Sequence, residues 1–191
     1  MCGIACIFNF NKNIESQRSA ALDMSKKLRH RGPDWNGIYT SRNAILAHER
    51  LAIVDPTSGK QPLFGSEDKL ILAANGEIYN HTSLRTSFLP SYPWKGTSDT
   101  ETILALTDLL GFPHVLSHLE GMFAIALFDR QASTLFLARD RFGEKPLYVI
   151  QQDEGVYYAS EPAVLIELLG LRFAPTEFDL AAFLTLGFIP A

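Results

Sequence analysis

The sequence predicts a layered α+β fold, with sheet packed on sheet and helices on the outside. Three observations carry this. Strand-like segments such as 3–8 and 121–128 are apolar at successive positions, so both their faces are covered. Strands and helical segments occur in mixed order, which suits packed layers. At 191 residues the chain is long enough to bury a core without staples.

Residues 3–8, Gly-Ile-Ala-Cys-Ile-Phe, read as a buried strand, and Asn11-Lys12-Asn13 supplies a turn after it. Residues 16–29 follow helical spacing, with Ala21, Met24 and Leu28 on one face. Arg29-His30-Arg31-Gly32-Pro33-Asp34 cannot continue a helix through Gly-Pro and is a loop. Residues 45–50 read as a strand and 55–62 as another loop. Residues 70–74 form a short apolar strand leading into Asn75-Gly76, a strong turn signal. Ser98-Asp99-Thr100-Glu101 has the spacing of a capping box, and Ile103, Leu104, Leu106, Leu109 and Leu110 follow at helical spacing. Residues 121–128 form a buried strand, which Asp129-Arg130-Gln131-Ala132 turns back into 134–138 as a hairpin. Strands near 147–150 and 156–159 precede a helix after Glu161-Pro162. The last helix starts near Pro175-Thr176 and carries Phe178, Ala182 and Phe183. There is no internal repeat or low-complexity tract.

Composition excludes several function classes. With 47% hydrophobic and 20% charged residues, the chain resembles an ordinary soluble globular protein, not a disordered one. Lys and Arg total 17 against 21 Asp and Glu, a net charge of -4 with no basic stripe, which argues against nucleic acid. Arg139-Asp140-Arg141 reads as internal ion pairing, not as a basic patch. No apolar run approaches the roughly 18 residues of a membrane helix, so no membrane association is expected. The first eight residues lack a basic n-region and are not read as a secretory signal. Cys2 and Cys6 lie too close on one strand for a disulfide framework, and no second Cys or His pair completes a zinc site. His48, His81, His114 and His118 have no ligand partners at metal spacing, so no metal is expected. A reducing cytoplasm fits best. No G-x-x-x-x-G-K-[ST] phosphate loop occurs.

The chemistry centres on Cys2, which directly follows Met1. If the initiator is removed, one residue holds a thiol, of reference pKa about 8.5, and an α-amine, of about 7.7–8.0. Such an amine is well matched to act as general base at neutral pH. It can take the thiol proton through a water and later return a proton to a leaving amine, as N-terminal threonine nucleophiles do. An isolated Cys at position 2 would otherwise be a small buried residue, the role assigned to Cys6.

Six motifs in register add to this: Met1-Cys2-Gly3-Ile4, Arg29-His30-Arg31-Gly32-Pro33-Asp34, His48-Glu49-Arg50-Leu51-Ala52-Ile53-Val54-Asp55, Asn75-Gly76-Glu77-Ile78-Tyr79-Asn80, Ser98-Asp99-Thr100-Glu101, and the run from Ala138 through Arg139-Asp140-Arg141-Phe142-Gly143-Glu144-Lys145-Pro146-Leu147-Tyr148. Together they resemble the glutaminase domain of the class II glutamine amidotransferases, of the asparagine synthetase type, over residues 1–191. The resemblance implies an N-terminal-nucleophile hydrolase fold, a four-layer αββα sandwich of two antiparallel sheets. It implies hydrolysis of L-glutamine to L-glutamate and ammonia through a Cys2 thioester. In that pattern the Asn75 amide and Gly76 N–H form the oxyanion hole, where each donor is worth about 2.7–4 kcal/mol. Arg50 holds the α-carboxylate through its two-pronged guanidinium. Asp99 holds the α-ammonium, Glu77 lies in the same binding segment, and backbone groups of Leu51, Ile53 and Val54 contribute. His30 shapes its loop and has no acid–base role.

Each residue alone also has a structural reading: Asn75-Gly76 as a hairpin turn, Arg50 as a solvated strand end, Asp99 as an acid in a helix's first turn. The resemblance further implies that ammonia passes to an ATP-dependent synthetase domain, in cis or in trans. ATP and Mg belong to that absent domain, and no cofactor is expected in this one. Its linker would begin at Gly187-Phe188-Ile189-Pro190-Ala191. Two alternatives stay open: the same glutaminase feeding a different acceptor, and a non-catalytic structural or regulatory module. A homodimer is also left open.

Overall fold

A computed structural model describes residues 1–189 of the chain. Nine strands occur among them: β1 (Gly3–Asn9), β2 (Trp35–Thr40), β3 (Ala44–Arg50), β4 (Leu63–Phe64), β5 (Leu70–Ile78), β6 (Gly121–Asp129), β7 (Thr134–Arg139), β8 (Tyr148–Gln152) and β9 (Gly155–Ala159). The helices are α1 (Arg18–Lys27), α2 (His81–Phe88), α3 (Glu101–Leu110), α4 (Phe112–Val115), α5 (Pro162–Leu168) and α6 (Glu177–Leu186). One sheet runs β2-β3-β1-β9-β8 and the other β4-β5-β6-β7. Every pairing is antiparallel.

Side chains alternate across a strand, so each strand feeds two interfaces. On β1, Ile4, Cys6 and Phe8 point between the sheets, where Leu46, Ile71 and Phe128 meet them. Ala5 and Ile7 point the other way, onto Met24 of α1 and Val164 and Leu165 of α5. On the second sheet Leu72, Ile125 and Leu127 pack outward against Leu84 of α2 and Ile103 and Leu106 of α3. Three apolar cores therefore separate four layers, αββα. This is why 3–8 and 123–128 are apolar: over these residues neither face of either strand meets water.

The hairpin of β6 and β7 forms as expected, with Asp129 Oδ1 accepting the N–H groups of Gln131 and Ala132, both at 2.9 Å. Three expectations are corrected. Asn75-Gly76 is not a turn, because β5 continues through it to Ile78, pairing Asn75 with Ala124 and Gly76 with Phe123. Long-range pairing with β6 outweighs the local turn propensity, and glycine is required for its closeness: a Cβ on Gly76 would run into the Met122 carbonyl. No capping box forms at Ser98. The Glu101 carboxylate instead accepts the Lys95 and Gly96 N–H groups at 2.8 and 3.1 Å, while the Ser98 and Thr100 hydroxyls pair at 2.8 Å. A capping box does head α6, between Thr176 and Asp179. Finally, Asp140 is not paired with its flanking arginines. It accepts four backbone N–H groups, from Phe123, Phe142, Glu144 and Lys145, at 2.9–3.2 Å. Burial alone would raise its carboxyl, but these donors outweigh it and hold the group below the usual range.

The strands β2 and β4 and the helices α2 and α4 are additional to those expected. On α6, Ala182 is buried while Phe178 and Phe183 are exposed. Of the expected linker, Pro190 and Ala191 lie outside the described residues. No described helix is long and apolar enough to cross a membrane. Leu46 is fully buried between the sheets. Leu46→Ala should lower unfolding free energy by about 2–5 kcal/mol, read as an earlier urea midpoint with an unchanged slope.

Candidate active site

The alternation that builds the inter-sheet core continues beyond it and changes chemistry. Cys2 is in phase with Ile4, Cys6 and Phe8. His48 and Arg50 are in phase with Ala44 and Leu46, and Asn75 and Glu77 with Ile71 and Ala73. One end of the sandwich thus exchanges apolar side chains for a thiol, a guanidinium and an amide. All nine residues singled out by sequence line one solvent-open cleft there: Cys2, Arg50, Leu51, Ile53, Val54, Asn75, Gly76, Glu77 and Asp99.

The Cys2 sulfur lies against the chain leaving β3. Its Sγ accepts the Leu51 N–H at 3.4 Å and lies 3.7 Å from the Leu51 carbonyl. Arg31 Nε donates to the Cys2 carbonyl at 3.1 Å, and Arg31 and His30 both bond Glu161, at 2.9 and 2.8 Å. Arg29–Arg31, read from sequence as part of a loop, forms a 3-10 helical turn that braces the residue that carries the thiol, and His30 bonds Glu161. Burial pushes the Cys2 thiol up. The Leu51 N–H, the terminal ammonium and Arg50 oppose this, Asp99 adds to it, and the net direction is upward. At neutral pH the sulfur keeps its proton until a base removes it. Met1 also lines the cleft, so its removal would widen the approach to the sulfur.

Arg50 is buried, yet its bonds leave much of it unused. Nη2 donates to the carbonyls of Val54 and Asp55 at 2.9 and 2.5 Å, and no other acceptor meets the guanidinium among the described residues. Gly59 admits this packing, since a Cβ there would lie 2.5 Å from Nη2. Asp55 adopts φ 52° and ties the loop down: its carboxylate accepts the Ser58 hydroxyl, the Ser58 N–H at 2.9 Å and the Thr97 N–H at 2.8 Å. The Ser58 hydroxyl above all holds this carboxyl far below the usual range. Asp99 Oδ2 accepts the Ile78 N–H at 2.7 Å, and Oδ1 has no donor among the described residues. Ile53 is exposed at the cleft rim, with Glu77 half-buried.

Asn75 is 1% exposed, and its side-chain Nδ2 has no partner among the described residues. A buried amide donor left unbonded costs about 1–3 kcal/mol, so a ligand that accepts from it recovers that energy. Gln61, Met122 and Lys145 also line the cleft and were not singled out by sequence. Lys145 lay inside a quoted motif; Gln61 lay in a segment read only as a loop. No group of three or more His, Cys, Asp or Glu side chains among the described residues could hold a metal ion.

Solved structures share this architecture. The glutamine phosphoribosylpyrophosphate amidotransferase from B. subtilis complexed with ADP and GMP superposes with a TM-score of 0.73 at 20% identity, covering 91% of this chain and 44% of that one. The allosteric regulatory enzyme of purine biosynthesis gives 0.71 at 22%, with the same coverage. The class defined by the fold is thus the four-layer αββα sandwich of two antiparallel sheets. Sequence narrows it: the glutamine amidotransferase domain model matches residues 1–191, and the chain belongs to that family. Asparagine synthetase B [glutamine-hydrolyzing] of Escherichia coli is 46% identical over 167 residues, 87% of this chain and 30% of that protein. Asparagine synthetase [glutamine-hydrolyzing] 3 of Arabidopsis thaliana is 43% identical over 166 residues, 86% of this chain and 28% of that protein. The chain spans under a third of the length of these relatives.

His48 sits behind the cleft, fully buried, with Nε2 donating to the Ala74 carbonyl at 3.0 Å. Burial, and secondarily Arg50, push its pKa down to about 4, although the Ala74 bond favours the charged form. An unfolded histidine takes up its proton near pH 6.5. Between pH 6.5 and 4 the unfolded chain therefore binds more protons. Stability should fall as pH drops through that window, by about 3 kcal/mol at pH 4. Urea titrations across it should show the slope, and His48→Gln should flatten it.

Proposed function

We propose that this chain hydrolyses L-glutamine to L-glutamate and ammonia, as the glutaminase part of an asparagine synthetase-like amidotransferase, with Cys2 as nucleophile. One observation carries the reading: the unpartnered, buried Asn75 amide opens onto the same cleft as the Cys2 sulfur. A donor kept unbonded in the resting site suits an acceptor that appears only during reaction.

Once Met1 is removed, the Cys2 α-amine takes the Sγ proton through a water. The sulfur attacks the glutamine carboxamide carbon. The negative oxygen of the tetrahedral species accepts from Asn75 Nδ2 and the Gly76 N–H. The protonated amine returns a proton to the departing nitrogen, ammonia leaves, and a γ-glutamyl thioester remains. Water adds to that carbonyl, and collapse releases glutamate and restores the thiol. The raised thiol pKa makes the base necessary. The free nitrogens of Arg50 take the substrate α-carboxylate, and the open Oδ1 of Asp99 takes its α-ammonium. Glu77 and the backbone of Leu51, Ile53 and Val54 complete the cleft.

The ammonia serves a synthetase domain outside this chain, where ATP and Mg would act. The chain's 30% share of the E. coli relative supports a synthetase domain in cis. On this reading residues 1–191 are one catalytic domain, needing no cofactor of its own. Both cysteines are unpaired, which fits the cytoplasm.

Cys2→Ala should leave the domain folded and reduce glutamate release below about one-thousandth of wild type. Undiminished release would end the proposal, as would an intact mass that retains Met1 in active enzyme. A diazo-ketone glutamine analogue should modify Cys2 and spare Cys6, whose thiol is fully buried and pushed up to about 12. Peptide mapping reads the outcome.

A further inference from the structure

The edge of β5 that faces the cleft is filled by side chains on either side of one open position. Backbone groups of alternate residues in an antiparallel strand address opposite neighbours. The Leu70 carbonyl accepts the Gly65 N–H at 2.9 Å, on the β4 side. Leu72, Ala74, Gly76 and Ile78 therefore address that side too. However, β4 spans only Leu63–Phe64, opposite Leu72 and Ile71, and the edge runs on with no strand beside it.

Two side chains take over. The Gln61 carboxamide accepts the Ala74 N–H through Oε1 at 2.6 Å and donates through Nε2 to the Ala74 carbonyl at 3.0 Å, as a strand peptide would. His48 Nε2 donates to the same carbonyl, using its second lone pair. Four residues on, Asp99 Oδ2 accepts the Ile78 N–H. Gly76 lies between these two contacts, with its N–H turned to the cleft and no side chain bonded to it. Gln61 and His48 are both buried.

We propose that Gln61 is a positioning residue for the oxyanion hole. Its carboxamide, seconded by His48, fixes the Ala74 peptide so that the Asn75 amide and the Gly76 N–H aim at one point. This rests on the glutaminase reading and adds to it a residue that acts only through its neighbours. It predicts a loss in the chemical step with binding preserved, since Arg50 and Asp99 grip the substrate elsewhere.

The test compares Gln61→Met, which keeps length and loses both bonds, with Gln61→Glu, which keeps the acceptor and loses the donor. Each should lower kcat for glutamine by about tenfold or more, with KM within about threefold of wild type. Should the methionine variant fail to fold, the glutamate variant decides alone. A double-mutant cycle supplies the second readout. In an Asn75→Ala background, whose hole keeps only the Gly76 N–H, Gln61→Met or Gln61→Glu should cost less than in wild type, about threefold or under. A kcat within twofold of wild type, or a loss that simply multiplies that of Asn75→Ala, would overturn the positioning role. Absence of glutaminase activity in wild type, or full activity in Asn75→Ala, would instead strike the underlying function.

Discussion

The two-residue repeat of a strand is the constraint on which the rest depends. It places Ile4, Cys6 and Phe8 in the core between the sheets, and the same phase carries Cys2 to its edge. On β3 it takes Leu46 inward and then presents Arg50; on β5 it takes Ala73 inward and then presents Asn75. Site and core are successive rungs of the same ladders. A one-residue slip of β1, β3 or β5 would turn that strand's thiol, guanidinium or amide away from the cleft.

Electrostatically the cleft keeps charges available by occupying only half of each. Arg50 is held by two loop carbonyls through one nitrogen, and Asp99 by one N–H through one oxygen. Both buried groups so anchored retain bonding capacity facing the cleft. Asp55 links the two, since its carbonyl receives Arg50 and its carboxylate receives the N–H of Thr97, two residues before Asp99.

The layered fold was legible in the sequence because buried strands covered on two faces leave a direct trace, apolar residues at successive positions. The hairpin at Asp129 was legible because its turn is local chemistry. Asn75-Gly76 misled because its pairing is settled by Ala124 and Phe123, nearly fifty residues away. Ser98 misled similarly, since Glu101 is claimed by the backbone of Lys95 and Gly96. The edge strand β2 was missed because Trp-Asn-Gly-Ile-Tyr-Thr is half-exposed and interrupted by Asn and Gly. In the cleft, the residues proposed to touch substrate stood in motifs. Gln61 gave no signal and His48 stood in a motif without an assigned role, because both bond the Ala74 peptide, which adjoins them in space and not in sequence.

The sandwich has one further consequence. Cys2 rides on the first sheet, whereas Asn75 and Gly76 ride on the second. The separation of the thiol from the amide therefore depends on the thickness of the hydrocarbon filling, and stacked sheets pack about 10 Å apart. The aliphatic and aromatic residues in that filling thus act as a spacer for the cleft as well as a core for the fold.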